Sequence, residues 1–376
     1  MAYKALSKEE RQKKRDDYEK QVADMFIKGI QEGTAPWRKP WIPGVNKRDY
    51  NLFQMADKNG KQTNHYRGIN GLICEISRSF YLGSDDPRWC TVNELMEHNA
   101  KIKDEKEHLW VKKGEKGTTI SFFERRFYDK DGHPIKYDEN NPTYAGVEIA
   151  YSRPILRNWV IFNASQIGKY TYDENDNRVK DKDGNPVYRP GFEPIKVEKE
   201  EKNVIETLIE PETLIKNTGV KIDYDQIDQG YYTERDDHIH LVPKEKFNSQ
   251  TDYYSTVLHE LTHWTGVSWR LDREEFANYS KSKQWRAKEE LVAEIGSYLL
   301  AKDCNIMFKP SDNNLAYVES WCSCLKEKPS SIFEACQKAK KASDYIQDFS
   351  RTNTNKNVRE ETEENVEIQI KDRKGR

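Results

Sequence analysis

The sequence is poor in several features that would narrow its function at once. Six cysteines in 376 residues (Cys74, Cys90, Cys304, Cys322, Cys324 and Cys336) form no CxxC pair and no regular spacing. That argues against a disulfide scaffold or a zinc ribbon and points to reduced thiols. No apolar run approaches the roughly 20 residues a membrane helix needs. Lys8 to Lys20, KEERQKKRDDYEK, is charged where a secretory signal would be apolar. The expectation is a cytoplasmic chain with no membrane partner. Nor is either sign of charge in excess, since the net charge is −2. That balance hides an uneven spread, roughly +6 over residues 1–170 and roughly −8 over the remainder. A mildly basic front half permits nucleic-acid binding without establishing it.

What is present is enough apolar material for two cores: 35% of residues are hydrophobic, against 34% charged. Ser7-Lys8-Glu9-Glu10 reads as a capping box opening a helix to about Gln31. Short helices are expected over Gly71–Ser79 and residues 91–100, and strands over Thr119–Phe123 and Trp159–Phe162. These make a small α+β domain over residues 1–170. Asp131-Gly132 and Asp183-Gly184, between β-prone flanks, read as hairpin turns. They are not EF-hand loops, because the downstream bidentate Glu is missing. Residues 171–201 are expected to be a linker carrying one of these hairpins. A mainly helical domain follows over 202–350, with a hairpin from Gly230 to Pro243, and then a charged, disordered tail over 351–376.

The most specific motif is His259-Glu260-Leu261-Thr262-His263. Three fixed residues in five recur by chance in such a chain about once in a hundred. On a helix, His259 and His263 lie one turn apart on one face and can reach one metal ion. Glu260 sits beside that face, placed to take a proton from an attacking water. Val257, Leu258 and Leu261 supply an apolar stripe, and Gly266 a stop. The implied cofactor is Zn2+, which needs a third protein ligand and one open position. The segment 286–302, RAKEELVAEIGSYLLAK, reads as the helix supplying it, with Leu291, Ile295, Tyr298 and Leu299 as its core stripe. Glu290 and Glu294, four apart, repel unless something positive lies between them. Glu290 is read as the ligand and Glu294 as the partner orienting a histidine, although the two roles are exchangeable at this level. The same wheel points Glu289 to solvent.

In order and content these blocks resemble the ArdC antirestriction family, an N-terminal single-stranded-DNA-binding domain joined to a zincin-like metallopeptidase domain. The resemblance runs from about Gly33 to Phe349. It rests on GTAPWRKPW (Gly33–Trp41), YRGIN (Tyr66–Asn70), VKKGEKGT (Val111–Thr118), VIFNASQI (Val160–Ile167), DHIHLVP (Asp237–Pro243), the long block around HELTH (Phe247–Arg273) and EELVAEIGSYLL (Glu289–Leu300). The resemblance implies His259, His263 and Glu290 as metal ligands and Glu260 as general acid/base. It also implies a hairpin beside the active helix whose edge pairs with an extended peptide, and Tyr231 or Tyr232 as an oxyanion donor. For single-stranded DNA, the suitable residues are aromatics interleaved with cations: Trp37, Arg38, Lys39, Trp41, Tyr66, Arg67, Lys112, Lys113 and Lys116. The implied partners are single-stranded DNA and an unidentified protein substrate, in a protein of a mobile genetic element. Two other readings compete: a dedicated metallopeptidase whose N-terminal domain is a substrate adaptor, and a non-catalytic DNA binder with a structural zinc.

Overall fold

The computed structural model describes residues 7–33, 35–36, 48–53, 65–135, 146, 148–193, 209–304, 306, 308 and 317–350. The expected tail over 351–376 lies outside these. Contacts divide the chain into one unit of residues 48–196 and another of residues 1–47 with 197–376. The class is α+β, as expected, but the division does not fall at residue 170.

The first helix, α1 (Lys8–Gln31), opens with the expected capping box, Ser7 and Glu10 each accepting the other's backbone N–H. Its buried stripe of Tyr18, Val22, Phe26, Ile27 and Ile30 belongs to the unit completed by the C-terminal half.

In the unit of residues 48–196, β1 (Tyr50–Asn51), α2 (Gly68–Ile76), β2 (Arg88–Cys90) and α3 (Val92–Asn99) precede β3 (Trp110–Val111). The long strand β4 (Thr118–Tyr128), β5 (Pro134–Ile135) and the long strand β6 (Tyr151–Asn163) follow, then β7 (Ile167–Tyr170) and β8 (Tyr188–Pro190). One sheet runs β1-β2-β6-β4-β5 and a smaller one β3-β7-β8. Strand β4 pairs antiparallel with β6 along its whole length, Thr118 opposite Ile161 through Tyr128 opposite Tyr151. Where no described strand lies on the other side of β4, the Asn70 amide of α2 donates to Ser121 O (2.8 Å) and accepts from Ser121 N (3.1 Å). A buried Asp49 oxygen accepts from Arg78 Nε (3.0 Å) and Trp89 Nε1 (2.7 Å), fixing β2 in the sheet between β1 and β6.

Residues 171–193 are part of this unit rather than a linker. They make two small loops, each built on an aspartate whose Oδ1 accepts the N–H groups two and four residues on, at Asp173 and Asp181. Asp129 builds a third. The fourth position of each loop is left-handed: Gly132 (φ 82), Asp176 (φ 64) and Gly184 (φ 78).

The other unit continues with α4 (Ile209–Thr218), β9 (Lys221–Asp223), β10 (Tyr231–Thr233) and β11 (His238–His240). These strands form a sheet ordered β10-β11-β9, with β10 at its edge. Then come α5 (Gln250–Trp264), α6 (Glu274–Ala277), α7 (Lys283–Asp303), α8 (Val318–Glu327) and α9 (331–350). Helices α5 and α7 lie very close together. A Cβ on Gly296 would stand 2.6 Å from Thr262 Cγ2, so only glycine fits that crossing. Buried Ala287, Ser297 and Ala301 extend the small-residue face of α7. Helix α1 packs on α8, and its Tyr18 ring meets Phe333 of α9 at 5.8 Å. Trp321 of α8 is buried and donates to Ala287 O (2.9 Å).

Candidate metal centre

Helix α5 starts at Ser249, whose side chain caps Asp252 N, and carries the HELTH motif in its last two turns. Burial of Val257, Leu258 and Leu261 turns the opposite side of the helix toward the β10 edge and α7. His259 Nε2 and His263 Nε2 lie 3.2 Å apart, and Glu290 Oε2 is 3.3 Å from His259 Nε2. Among the described residues, His259, His263 and Glu290 offer ligand atoms all within 4.8 Å of one another. For metal–nitrogen bonds of 2.0–2.1 Å, a tetrahedral site puts two nitrogens about 3.3 Å apart. Two imidazole nitrogens and a carboxylate oxygen converging in a buried place are a donor set that a divalent cation takes, so the residues fit a metal.

The electrostatics carry the same message. Burial by itself would lower the His259 pKa, but the Glu294 and Glu290 carboxylates outweigh it and hold the ring well above its ordinary value. Burial would raise Glu290, yet His259 and His263 pull it down to about 2. His259 Nδ1 and Glu294 Oε1 lie 3.2 Å apart as a buried ion pair, and neither atom has a geometrically formed hydrogen bond. Glu294 thus sits behind His259, not beside Glu290 at the point of convergence.

Glu289 requires a correction. It is fully buried, not turned to solvent: its Oε1 meets His263 Nδ1 at 3.0 Å. The Arg273 guanidinium grips the same carboxylate, Nη2 to Oε1 at 2.5 Å and Nε to Oε2 at 3.0 Å. Arg273 also donates to Thr262 O (2.7 Å) and Thr265 Oγ1 (2.5 Å), tying the turn after α5 to α7. Against the cost of burial, Arg273 and His263 keep the Glu289 pKa below its ordinary value. No spacing rule reveals this arrangement, because Arg273 and Glu289 meet only in the fold.

A cavity of about 650 Å3 opens over His259, Glu260, His263 and Glu290. Edge strand β10 forms one wall, and its Tyr232 N–H donates to Glu260 Oε2 at 2.8 Å. The Tyr232 hydroxyl is engaged elsewhere, donating to Asp237 Oδ1 (2.7 Å) and receiving Arg270 Nη1 (3.4 Å). Tyr231 stacks on the His240 ring, centroids 5.1 Å apart. Two other phenols line the cavity, Tyr279 and Tyr317, and Tyr279 donates to Glu290 Oε1.

The DNA candidates divide differently. Trp37, Arg38, Lys39 and Trp41 lie outside the described residues. Tyr66 is half-buried and Arg67 is exposed at the start of α2. Lys112 donates to Ser165 O (2.7 Å), Lys113 to Asn185 Oδ1 (2.9 Å), and Lys116 is exposed in the turn before β4. The outer face of β3-β7-β8 adds residues that sequence reasoning missed. Tyr170 stacks on Tyr188 (5.0 Å) and meets Trp110 (5.7 Å), while the exposed Arg178 guanidinium lies 4.0 Å from the Tyr170 centroid.

The family model for the N-terminal domain of anti-restriction factor ArdC matches residues 16–155, and that for a zincin-like metallopeptidase matches residues 210–338. Crystal structures of antirestriction ArdC from the R388 plasmid share the fold. The metal-free one has a TM-score of 0.59 at 28% identity, over 89% of this chain and 98% of that one. The Mn(II)-bound one has a TM-score of 0.57 at 27% identity, over 88% and 97%. The chain belongs to the ArdC antirestriction family. Among curated relatives, a DNA primase TraC of Escherichia coli is 30% identical over 350 residues, 92% of this chain. An uncharacterized protein y4eC of Sinorhizobium fredii is 24% identical over 332 residues, 88% of this chain and 91% of its own length. The chain spans 28% of the length of that primase. No helix among the described residues of this ArdC-family chain is long and apolar enough to cross a membrane.

Proposed function

We propose that this ArdC-family chain is a zinc-dependent peptidase joined to a single-stranded-DNA-binding unit, serving an antirestriction role on a mobile element. The observation carrying the peptidase reading is the convergence of His259, His263 and Glu290, with Glu260 beside them at the floor of an open cavity. His259, His263 and Glu290 would hold a zinc ion through three side chains, the number that catalytic rather than structural zinc sites use. Bound there, the ion would supply Lewis-acid polarisation of a peptide carbonyl and a more nucleophilic water. Glu260 takes a proton from the attacking water as its oxygen bonds to the carbonyl carbon. It then passes that proton to the amide nitrogen as the C–N bond breaks. The outer edge of β10 supports an extended peptide as substrate, since it lines the cavity and no described strand pairs with it there.

The DNA reading is supported by aromatic rings and cations sharing the outer face of β3-β7-β8, with Lys116 in the neighbouring turn. The test combines two assays on wild type and Glu260→Gln. One measures binding of fluorescent single-stranded and duplex DNA against salt, the other proteolysis of a peptide library with added Zn2+ or Mn2+. The substitution should abolish cleavage, leave metal binding within about threefold and leave DNA affinity unchanged. Cleavage that survives Glu260→Gln sinks the peptidase reading, and absence of DNA binding at moderate salt sinks the other.

A further inference from the structure

The tyrosine that serves the reaction is not on the hairpin; the geometry points to Tyr279 as the donor that stabilises the substrate carbonyl oxygen while it carries negative charge. This rests on the peptidase reading above. Tyr279 lies in the turn between α6 and α7, where its N–H bonds to Phe276 O (3.0 Å). Its ring is fixed on two sides, edge-on to His263 with centroids 6.0 Å apart at 79°, and beneath the Arg286 guanidinium at 5.1 Å. Its hydroxyl donates to Glu290 Oε1, which places a phenol one hydrogen bond from the point where the three ligand side chains converge, on the cavity side. Tyr317, at the start of α8 with its ring stacked on Trp321 (6.1 Å), lines the same cavity. With its ring fixed on two sides, the Tyr279 hydroxyl stays at the cavity wall whether its proton points to Glu290 or to the substrate. Tyr232, by contrast, is bound to Asp237 and Arg270, and Tyr231 lies flat on His240.

The chemistry needs only a hydrogen bond, with no proton transferred. As water adds to the carbonyl carbon, the C=O bond opens and its oxygen gains charge. A phenol aimed at that oxygen stabilises the addition more than it stabilises the bound peptide. When the C–N bond breaks and the carboxylate forms, the hydroxyl returns to Glu290.

The test uses the full chain loaded with Co2+, whose visible absorption reports on the metal's surroundings, and inorganic phosphate as a tetrahedral oxyanion probe. Tyr279→Phe should weaken phosphate about tenfold or more, as loss of a hydrogen bond to a charged group does. Its Co2+ affinity should stay within about threefold and its melting temperature near wild type. Tyr231→Phe should bind phosphate like wild type. Unchanged phosphate affinity in Tyr279→Phe overturns the assignment, as does an equal loss of Co2+ affinity, which would make Tyr279 a positioning residue for Glu290. A phosphate defect in Tyr231→Phe instead returns the role to the hairpin. If the wild type takes up no Co2+, the metal-centre reading fails and this inference with it.

Discussion

At the scale of single residues, the centre depends on a carboxylate that never touches the converging ligand atoms. Glu289 holds His263 Nδ1 and is itself held by Arg273, so His263 Nε2 is left to face the convergence point. Glu289→Gln keeps the volume but leaves Arg273 buried without its countercharge. Metal affinity should fall about 10- to 100-fold by chelator competition. Stability should fall by about 3 kcal/mol or more in denaturant titration. Unchanged values in both would reduce the pair to packing. Proton linkage gives a second expectation. In the metal-free chain His259 carries a raised pKa, after burial is outweighed by Glu294 and Glu290, so metal must displace its proton. Affinity should therefore tighten as pH rises toward that raised pKa, with proton release visible by calorimetry in buffers of different ionisation enthalpy. The pairing of His259 with His263 and of Glu290 with Glu294 is legible in the sequence, because a one-turn spacing puts each pair on one helix face. Glu289 is not: a wheel with one apolar stripe assigns it to solvent, and Arg273 reaches it from a turn no periodicity describes.

Among the elements, α1 is the one whose place the sequence conceals. Its capping box and buried stripe are readable, but which core the stripe joins depends on α8 and α9, some 300 residues away in sequence. Deleting residues 1–33 should strip Phe26, Ile30 and their neighbours from that core. At roughly 1.5–3 kcal/mol for each large side chain, the loss approaches the whole margin of an ordinary domain. Metal-free and metal-loaded forms should both melt lower and be cut by protease near α8. A deletion that melts like the full chain would place α1 outside the cooperative core. The Asp-Gly loops make a similar point: two announce themselves by glycine, while the third uses Asp176 at the same left-handed position and goes unseen. On β11, His240 sits between Asp225 Oδ2 (2.9 Å) and Asp236 Oδ2 (3.1 Å). These carboxylates raise its pKa against a lowering by burial. With the folded pKa above the unfolded one, this stabilisation is full below about 6.5 and fades as pH rises through the folded value. The cost of His240→Gln in chemical denaturation should thus shrink between pH 5.5 and pH 8.5; a cost independent of pH would remove the charge from the argument.

For the whole molecule, the uneven charge and the two units assign the proposed activities to different places. The candidate metal ligands belong to the unit of residues 1–47 and 197–376, and the aromatic face of β3-β7-β8 to residues 48–196. Chelation or Glu260→Gln should therefore leave single-stranded-DNA affinity as it is. Within the proposed DNA-binding unit, stacking and charge separate by their response to salt. Each phosphate neutralised contributes about −0.7 to the slope of log affinity against log salt on a single strand. A stacked base contributes roughly 1–3 kcal/mol at every salt concentration. Trp110, 38% exposed beside Tyr170, should act by stacking, and Arg178 over that Tyr170 ring by charge. Trp110→Ala is then expected to shift the whole salt titration down with its slope intact, and Arg178→Ala to flatten the slope by about 0.7. If both substitutions leave the titration where it was, the strand does not lie on this face; if chelation abolishes binding, the metal centre and the DNA site are not separate functions.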